Sequence, residues 1–259
     1  MSHPRRLSFD RDAPGYTTAR PPYPARVFDI LAHCGLGPGA RVLEIGAGSG
    51  QATRELLRRG AHVVAVEPGA NLAASLARLD SPHLSVIQSD LERAAVPAGP
   101  YDLAVAATSF HWLELEVALP RLAGLVRPGG WLVVWWTVFT DPMRRTPFRT
   151  AMDDIYRRYK PDDSRSYPGP LGVGSWSAEL RRGGWFGDLT VDLIPWSYRL
   201  TPDRARGLWA TFTDIIALDE PWRSRFLDEV AALVERFGGE VEDPYVTAVY
   251  RARPTRVPT

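Results

Sequence analysis

A glycine-rich loop between an apolar run and an amphipathic run limits the folds open to this chain more than any other feature. Residues 41–45 are mostly apolar, and the sequence EIGAGSG occupies positions 44–50. Residues 51–59 then place apolar and charged side chains on opposite helical faces. Glycines at such a junction allow a tight turn and a close backbone approach to a ligand. The following helix directs its free N–H groups into the same space.

The pattern around this loop is an alternation of apolar strands and amphipathic helices. Strands this apolar are typical of a parallel sheet that is covered on both faces. We therefore predict an α/β fold with a doubly wound, mostly parallel seven-stranded sheet, in which ligands bind at the carboxyl ends of the strands. The predicted strands are residues 41–45, 62–66, 84–88, 101–107, 131–139, 189–200 and 245–252, and the helices are residues 24–33, 51–59, 71–79, 117–125, 204–218 and 222–237.

The alternation breaks between residues 140 and 185, where Arg, Pro, Tyr and Trp are frequent. We interpret this stretch as an inserted helical cap over the ligand site. The predicted organisation is an N-terminal lid segment with the first helix (1–35), a cofactor-binding core (36–140), a variable substrate-cap insertion (141–187), and C-terminal strands and helices that complete the sheet (188–259).

Composition excludes several classes of function. Of the 259 residues, 31 are basic and 30 acidic, so a net charge of +1 offers no global field for nucleic acid or an anionic membrane. The single cysteine, Cys34, rules out an intramolecular disulfide and fits a reducing compartment. No apolar run approaches the ~20 residues of a membrane span, and residues 1–10 lack the apolar region of a signal peptide. We expect a soluble cytoplasmic monomer or homodimer.

Two carboxylates follow predicted strands at positions suited to a nucleoside. Glu67 ends the second strand, 21 residues after Gly46, where it can accept hydrogen bonds from both ribose hydroxyls. Asp90 follows the third strand and can accept from an adenine amino group, with Leu91 against the ring. A dinucleotide loop would have glycine at position 51, which is Gln51 here. Because Glu44 precedes the glycines, a cationic nucleoside bearing an amino acid fits better than a nicotinamide dinucleotide.

Four motifs together resemble those of class I S-adenosylmethionine-dependent methyltransferases. They are VLEIGAGSG at 42–50, VEP at 66–68, SDL at 89–91 and LVRPGG at 125–130. The resemblance implies a Rossmann-like methyltransferase fold with S-adenosyl-L-methionine as cofactor. The residues expected at the cofactor are Tyr16, Arg20, Glu44, Gly46, Ala47, Gly48, Gln51, Glu67, Pro68, Asp90, Leu91, Ala107 and Thr108.

A narrower resemblance involves residues 9–16, the sequence RPPYP at 20–24 and the sequence FHW at 110–112. These are similar to a microbial subgroup that includes trans-aconitate methyltransferase-like proteins, in which the N-terminal segment closes over the cofactor. The resemblance implies that Tyr16 and Arg20 lie near the methionine carboxylate, which an Arg fork is suited to bind. Thr108 stands where the subgroup commonly has Gln.

His111 is the candidate catalytic residue. It follows the fourth strand, where a neutral imidazole could act as a base on an O–H, N–H or C–H acceptor. The alternative is a packed histidine beside Trp112. The five histidines show no metal-ligand spacing, so we expect no metal. Some of the nine tryptophans could line an aromatic pocket.

The predicted function is methyl transfer to the oxygen, nitrogen or carbon of a small molecule, in secondary metabolism. We expect no nucleic-acid or membrane partner. Two alternatives remain open at this point. One is a cofactor-binding protein of the same fold that does not methylate, and the other is a nicotinamide-dependent oxidoreductase.

Overall fold

The computed structural model describes residues 19–160 and 172–255. In this part of the chain, seven strands form one sheet with the order β3-β2-β1-β4-β5-β7-β6. Strands β1 to β5 pair in parallel, and β7 runs antiparallel to both of its neighbours. The strands are β1 (Arg41–Ile45), β2 (His62–Val66), β3 (Leu84–Ile87), β4 (Tyr101–Ala107), β5 (Val126–Val138), β6 (Phe186–Leu200) and β7 (Val241–Pro254).

Helices follow most of the strands, as a doubly wound fold requires. They are α1 (Ala25–His33), α2 (Gln51–Arg58), α3 (Ala70–Ala77), α4 (Leu115–Leu125), α5 (Pro147–Tyr159), α6 (Val173–Leu180), α7 (Pro202–Ala210), α8 (Thr213–Ile216) and α9 (Trp222–Arg236). In the described ranges, none of them is long and apolar enough to cross a bilayer. The predicted α/β class with a seven-stranded, mostly parallel sheet is therefore confirmed.

The sheet is buried on both faces because successive strand residues point to opposite sides. Along β1, Val42 packs in the cluster that also holds α1 and α2, while Leu43 packs in the cluster with α4. Along β4, Leu103 and Ala104 divide in the same way. Continuous apolar strands thus supply two cores at once, which explains why they lack a polar face.

A third buried cluster lies beyond the sheet and joins the predicted cap to the C-terminal region. Phe148 and Met152 of α5 pack with Trp209 of α7 and with Phe226 and Val230 of α9. The first helix of the predicted insertion at 141–187 therefore shares a core with α7 and α9 from the C-terminal segment.

Three predicted elements differ most from the structure. The helix predicted at 204–218 is two helices, α7 and α8, because Phe212 adopts an extended conformation between them. The fifth strand begins at Val126, and the predicted turn at Pro128–Gly130 is an irregularity within it. There Gly129 has a φ of 77°. The last strand extends beyond the predicted 245–252 because β7 pairs along nearly all of β6.

One buried ion pair fastens α5 to β7. The Arg149 Nε donates to Asp243 Oδ1 at 2.6 Å, and Nη2 donates to Oδ2. The Asp243 side chain is fully buried and that of Arg149 is 12% exposed. Arg149 also lies over the rings of Trp209 and Tyr245. Although the guanidinium favours the charged form, burial raises the pKa of the Asp243 carboxyl above its usual value.

We expect Arg149→Met to lower the free energy of unfolding by about 3–5 kcal/mol, because it leaves a buried carboxylate without its counter-charge. The matched control is Arg145→Met. Arg145 pairs with Asp153 at the surface, where its side chain is 62% exposed, and an exposed pair contributes about 0–1 kcal/mol. Urea unfolding of both variants measures the difference, and equal losses would contradict the assignment.

Candidate active site

One cavity of about 1130 Å³ lies at the carboxyl ends of the parallel strands. The segments after β1, β2, β3, β4 and β5 all contribute to its walls, together with residues of α5, α6, α7 and α8. Its size exceeds what a single drug-sized ligand needs. It contains all but two of the predicted site residues: Arg20, Gly46, Ala47, Gly48, Gln51, Glu67, Pro68, Asp90, Leu91, Ala107, Thr108 and His111 line it.

The loop after β1 requires glycine at Gly46 for two reasons. Its φ is 65°, a conformation that other residues rarely adopt, and an added Cβ would lie 2.5 Å from the Cβ of Ser109. Ser109 is itself fixed there because its hydroxyl donates to the Ile45 carbonyl at 2.5 Å. Gly48 has a φ of 57°, with open space where a side chain would begin. The loop after β4 therefore packs directly on the glycine loop, and the backbone at Gly48 borders the cavity.

Glu67 lines the cavity beside the glycine loop. Its Oε2 accepts from the Gly48 N–H at 2.8 Å, and its Oε1 accepts from the Gly69 N–H at 2.8 Å. The side chain is buried, yet it still lines the cavity. Each carboxylate oxygen can accept more than one hydrogen bond. Two backbone donors thus hold Glu67 in one orientation at the cavity.

Asp90 and Leu91 form the next part of the wall. The Asp90 carbonyl accepts from the N–H groups of Arg93 and Ala94, which fixes the turn after β3. Leu91 is 2% exposed and belongs to the core cluster, so its contact with the cavity is a rigid apolar surface. A carboxylate beside a fixed apolar surface suits the amino group and the ring face of an adenine.

Glu44 does not line the cavity, contrary to its predicted contact with a cationic group. Its side chain lies in the core, where Oε2 accepts from the Thr53 hydroxyl at 2.7 Å. Among the described residues, Oε1 has no hydrogen-bond partner. Burial raises the pKa of this carboxyl to about 8, with a smaller contribution from the charge of Glu67. The strand alternation is the reason, since it directs position 44 at the helix α2.

Arg20 lines the cavity, but its guanidinium lies over two aromatic rings, 4.8 Å from the centroid of Phe139 and 5.1 Å from that of Phe212. Its Nη2 also donates to the Thr211 carbonyl at 3.3 Å. Gln51 donates to the Arg20 carbonyl at 3.0 Å and so holds the chain before α1 against the glycine loop. Tyr16, the other predicted contact of the methionine carboxylate, lies outside the described residues.

Thr108 adopts a φ of 59°, which is uncommon for a β-branched residue. Its N–H donates to the Trp135 carbonyl at 2.8 Å, and its hydroxyl lies 3.3 Å from that of Tyr23. Strained backbone of this kind concentrates at functional sites, where surrounding contacts maintain it. Here it turns the chain after Ala107 so that Ser109 and His111 face the cavity.

His111 is exposed in the cavity, and its Nδ1 accepts a hydrogen bond from the indole N–H of Trp136 at 3.1 Å. The indole is 3% exposed. A base at position 111 must offer an unprotonated nitrogen to the substrate, and this bond occupies the unprotonated nitrogen. The arrangement therefore does not support the predicted base role.

The sequence interpretation missed most of the opposite wall. Five aromatic side chains face the cavity from β5, the segment after it, α5, α6 and the segment before α8. The abundance of Trp was the only signal in the sequence, and it did not indicate which rings converge. They are Trp136, Phe139, Tyr156, Trp176 and Phe212.

Comparison with known proteins agrees with this site. A family model described as a methyltransferase domain matches residues 43–134. The trans-aconitate 2-methyltransferase of an Azoarcus species is 30% identical over 231 residues, which cover 85% of this chain and 76% of the relative. An uncharacterised methyltransferase of Mycobacterium tuberculosis is 29% identical over 254 residues, 95% of each chain.

Solved structures show the same architecture. A protein of Anaeromyxobacter dehalogenans described as a type II methyltransferase has a TM-score of 0.66 at 26% identity, with 91% of this chain and 97% of the other covered. A phosphoethanolamine N-methyltransferase of Haemonchus contortus, solved with phosphomonomethylethanolamine and S-adenosylhomocysteine, has a TM-score of 0.57 at 15% identity and covers 96% of this chain and 60% of the other.

The fold and the site together define a doubly wound α/β protein with a cavity at the carboxyl ends of its parallel strands. The chain belongs to the class I S-adenosylmethionine-dependent methyltransferases. It is therefore an enzyme that transfers methyl groups, and neither the oxidoreductase nor the non-methylating alternative is retained. Within the described ranges, no cluster of three metal-ligating side chains is present.

We expect Gly46→Ala to weaken S-adenosylhomocysteine binding and to lower the free energy of unfolding by more than about 1 kcal/mol. The new methyl group meets Ser109, and the positive φ is strained for alanine. Gly37→Ala is the matched control, since nothing lies within 4 Å of its added Cβ. Calorimetric titration and thermal melts measure both effects. Normal binding by the Gly46 variant would contradict the proposed packing.

The raised pKa of Glu44 predicts a pH-dependent stability. The folded state keeps this proton up to about pH 8, whereas a glutamate in the unfolded chain releases it near 4.5. Unfolding therefore releases a proton in this window, and the free energy of unfolding falls as pH rises, by on the order of 4 kcal/mol. Glu44→Gln should remove this component and be more stable than the wild type at pH 8.5. Urea unfolding from pH 5 to pH 8.5 tests it, and parallel curves for the two proteins would exclude it.

Proposed function

We propose that this enzyme methylates a small molecule with an aromatic or otherwise apolar body, bound in the half of the cavity opposite Glu67. The observation that carries the proposal is the continuity of the cavity. One space of about 1130 Å³ joins the glycine loop and Glu67 to the aromatic wall that contains Trp136, Phe139 and Trp176. This volume can hold a nucleoside cofactor and a second small ligand together.

The cofactor half of the cavity fits S-adenosyl-L-methionine by its chemistry. Glu67 and Asp90 supply acceptors for hydroxyl and amino groups, and Gly46 and Gly48 leave the backbone open to a close approach. Leu91 supplies an apolar face. When bound, this cofactor supplies a sulfonium-activated methyl group whose departure leaves a neutral thioether.

The protein's own contribution is positioning and exclusion of water. The aromatic wall orients the acceptor, and the cavity holds it in line with the methyl group. Such positioning can account for about 7–11 kcal/mol of the barrier. We propose that transfer occurs to an oxygen, nitrogen or carbon atom without a metal, and that the reaction belongs to secondary metabolism, because aromatic side chains dominate the acceptor half.

We further propose that the protein is cytoplasmic and acts as a monomer or homodimer. A net charge of +1 supports a small-molecule acceptor over nucleic acid or a membrane surface. The relative from Azoarcus is named for trans-aconitate, so trans-aconitate belongs among the first acceptors to be tested with radiolabelled cofactor.

Substitution of Glu67 tests the cofactor half directly. In Glu67→Gln, the amide nitrogen replaces an oxygen that accepts from a backbone N–H, so two donors face each other. A ribose hydroxyl of the ligand also loses its charged acceptor. We expect the Kd for S-adenosylhomocysteine to rise about 10–100-fold, the equivalent of one charge-assisted hydrogen bond. Isothermal titration calorimetry on the full chain provides the measurement.

The control for this experiment is Glu116→Gln on α4, whose side chain is 76% exposed. It should bind S-adenosylhomocysteine like the wild type. Circular dichroism establishes that both variants are folded. Unchanged affinity in a folded Glu67→Gln protein, or thermal stabilisation of the wild type by NAD in place of S-adenosylhomocysteine, would refute the proposed cofactor site.

A further inference from the structure

We propose that His111 is a hydrogen-bond donor to the methyl acceptor, held in that role by Trp136, and that the acceptor atom is an oxyanion on an aromatic body. This proposal rests on the proposed function and names the substrate class of the same site. It replaces the base role that the sequence suggested for His111.

The indole of Trp136 determines which imidazole nitrogen carries the proton. An indole N–H can only donate, and it points at His111 Nδ1 from 3.1 Å. A neutral imidazole has one donor nitrogen and one acceptor nitrogen, so the proton lies on Nε2. The opposite tautomer would set two N–H groups against each other and leave a buried indole N–H without an acceptor.

Packing fixes the orientation of the Trp136 indole toward His111. It belongs to β5 and is 3% exposed. Its ring stacks on Trp176, with centroids 4.4 Å apart, and meets Tyr250 edge-on at 5.6 Å and Phe110 edge-on at 6.4 Å. Trp136 thus acts as a positioning residue, since it fixes the tautomer of His111.

An Nε2–H donor favours acceptors that are already ionised, because its hydrogen bond to an oxyanion is stronger than one to a neutral oxygen. It cannot remove a proton from an alcohol or an amine, but it can hold the oxygen of a carboxylate or a phenolate. In the transfer to such an oxygen, an oxygen lone pair forms the new O–C bond and the electron pair of the C–S bond goes to sulfur. No proton leaves the acceptor, so no base is required.

Charged side chains around the acceptor half have ion-pair partners, and Arg20 lies over the rings of Phe139 and Phe212. Arg145 is paired with Asp153, and Arg149 with the buried Asp243. Asp141 is paired with Arg144, and Asp214 with Lys160. A ligand with a single oxyanion leaves these pairs intact. The aromatic wall suits a flat apolar body, which leaves benzoates and phenolates as the class.

The first experiment determines the tautomer without any substrate. Long-range ¹H–¹⁵N spectra of the ¹⁵N-labelled full chain distinguish protonated from unprotonated ring nitrogens, and His111→Gln identifies the signals of His111. We expect an unprotonated Nδ1 and a protonated Nε2 at neutral pH. In Trp136→Phe, which keeps an aromatic ring but loses the donor, both tautomers should appear. A protonated Nδ1 in the wild type, or unchanged shifts in Trp136→Phe, overturns the proposal.

The second experiment tests the acceptor class by calorimetry with the protein saturated with S-adenosylhomocysteine. Benzoate and 4-nitrophenol, which is largely ionised at pH 8, represent the two oxyanions at that pH, and benzyl alcohol is the neutral control. We expect an oxyanion to bind at least tenfold more tightly than benzyl alcohol. His111→Gln, whose amide can both accept from Trp136 and donate to the ligand, should keep most of this preference, and His111→Ala should lose it. Equal binding of benzyl alcohol, or no binding of either oxyanion, overturns the assigned class.

The two proposals fail in different ways. If S-adenosylhomocysteine does not bind, the proposed function fails, yet the tautomer measurement still stands. If it binds and the tautomer is reversed, the proposed function survives and the role given to His111 does not. If Gln and Ala at position 111 impair oxyanion binding equally, the donor role is likewise excluded.

Discussion

The site depends on one interaction, the carboxylate of Glu67 accepting hydrogen bonds from two backbone N–H groups in separate loops. Gly48 belongs to the loop after β1 and Gly69 to the loop after β2, so a single side chain ties the ends of adjacent strands together. Three glycines of the first loop have a positive φ, and fixing a chain of this kind is entropically costly. The carboxylate and the Ser109 contact hold the loop in the one shape that leaves the cavity open.

In the acceptor half, buried charges are paired with each other and are surrounded by aromatic side chains. The pair of Arg149 and Asp243 joins α5 to the last strand, and Arg149 also lines the cavity. The guanidinium and the carboxylate balance each other's charge. A charge that is buried and paired is costly to break but neutral toward a ligand, so the aromatic surfaces and His111 determine recognition.

Structure and sequence differ most instructively at His111. The position after β4 at the cavity was predicted from the sequence alone, and the structure places it there. The sequence suggested a base because histidine is the usual proton acceptor near neutral pH. Which nitrogen of His111 carries the proton, however, depends on the group that is hydrogen-bonded to the back of its imidazole ring. That group is an indole on a neighbouring strand, 25 residues along the chain.

The sequence by itself determined the strands β1, β2 and β4, whose bounds are as predicted, and the convergence of Gly46, Glu67 and Asp90 at one edge of the sheet. These features follow from apolar runs, glycine conformations and the parallel topology, and short segments of the sequence are enough to predict them. Only the tertiary structure decided that Glu44 lies in the core, that α7 and α8 separate at Phe212, and which rings face the acceptor. Those outcomes depend on packing between segments far apart in sequence, and no local pattern encodes which distant side chains meet.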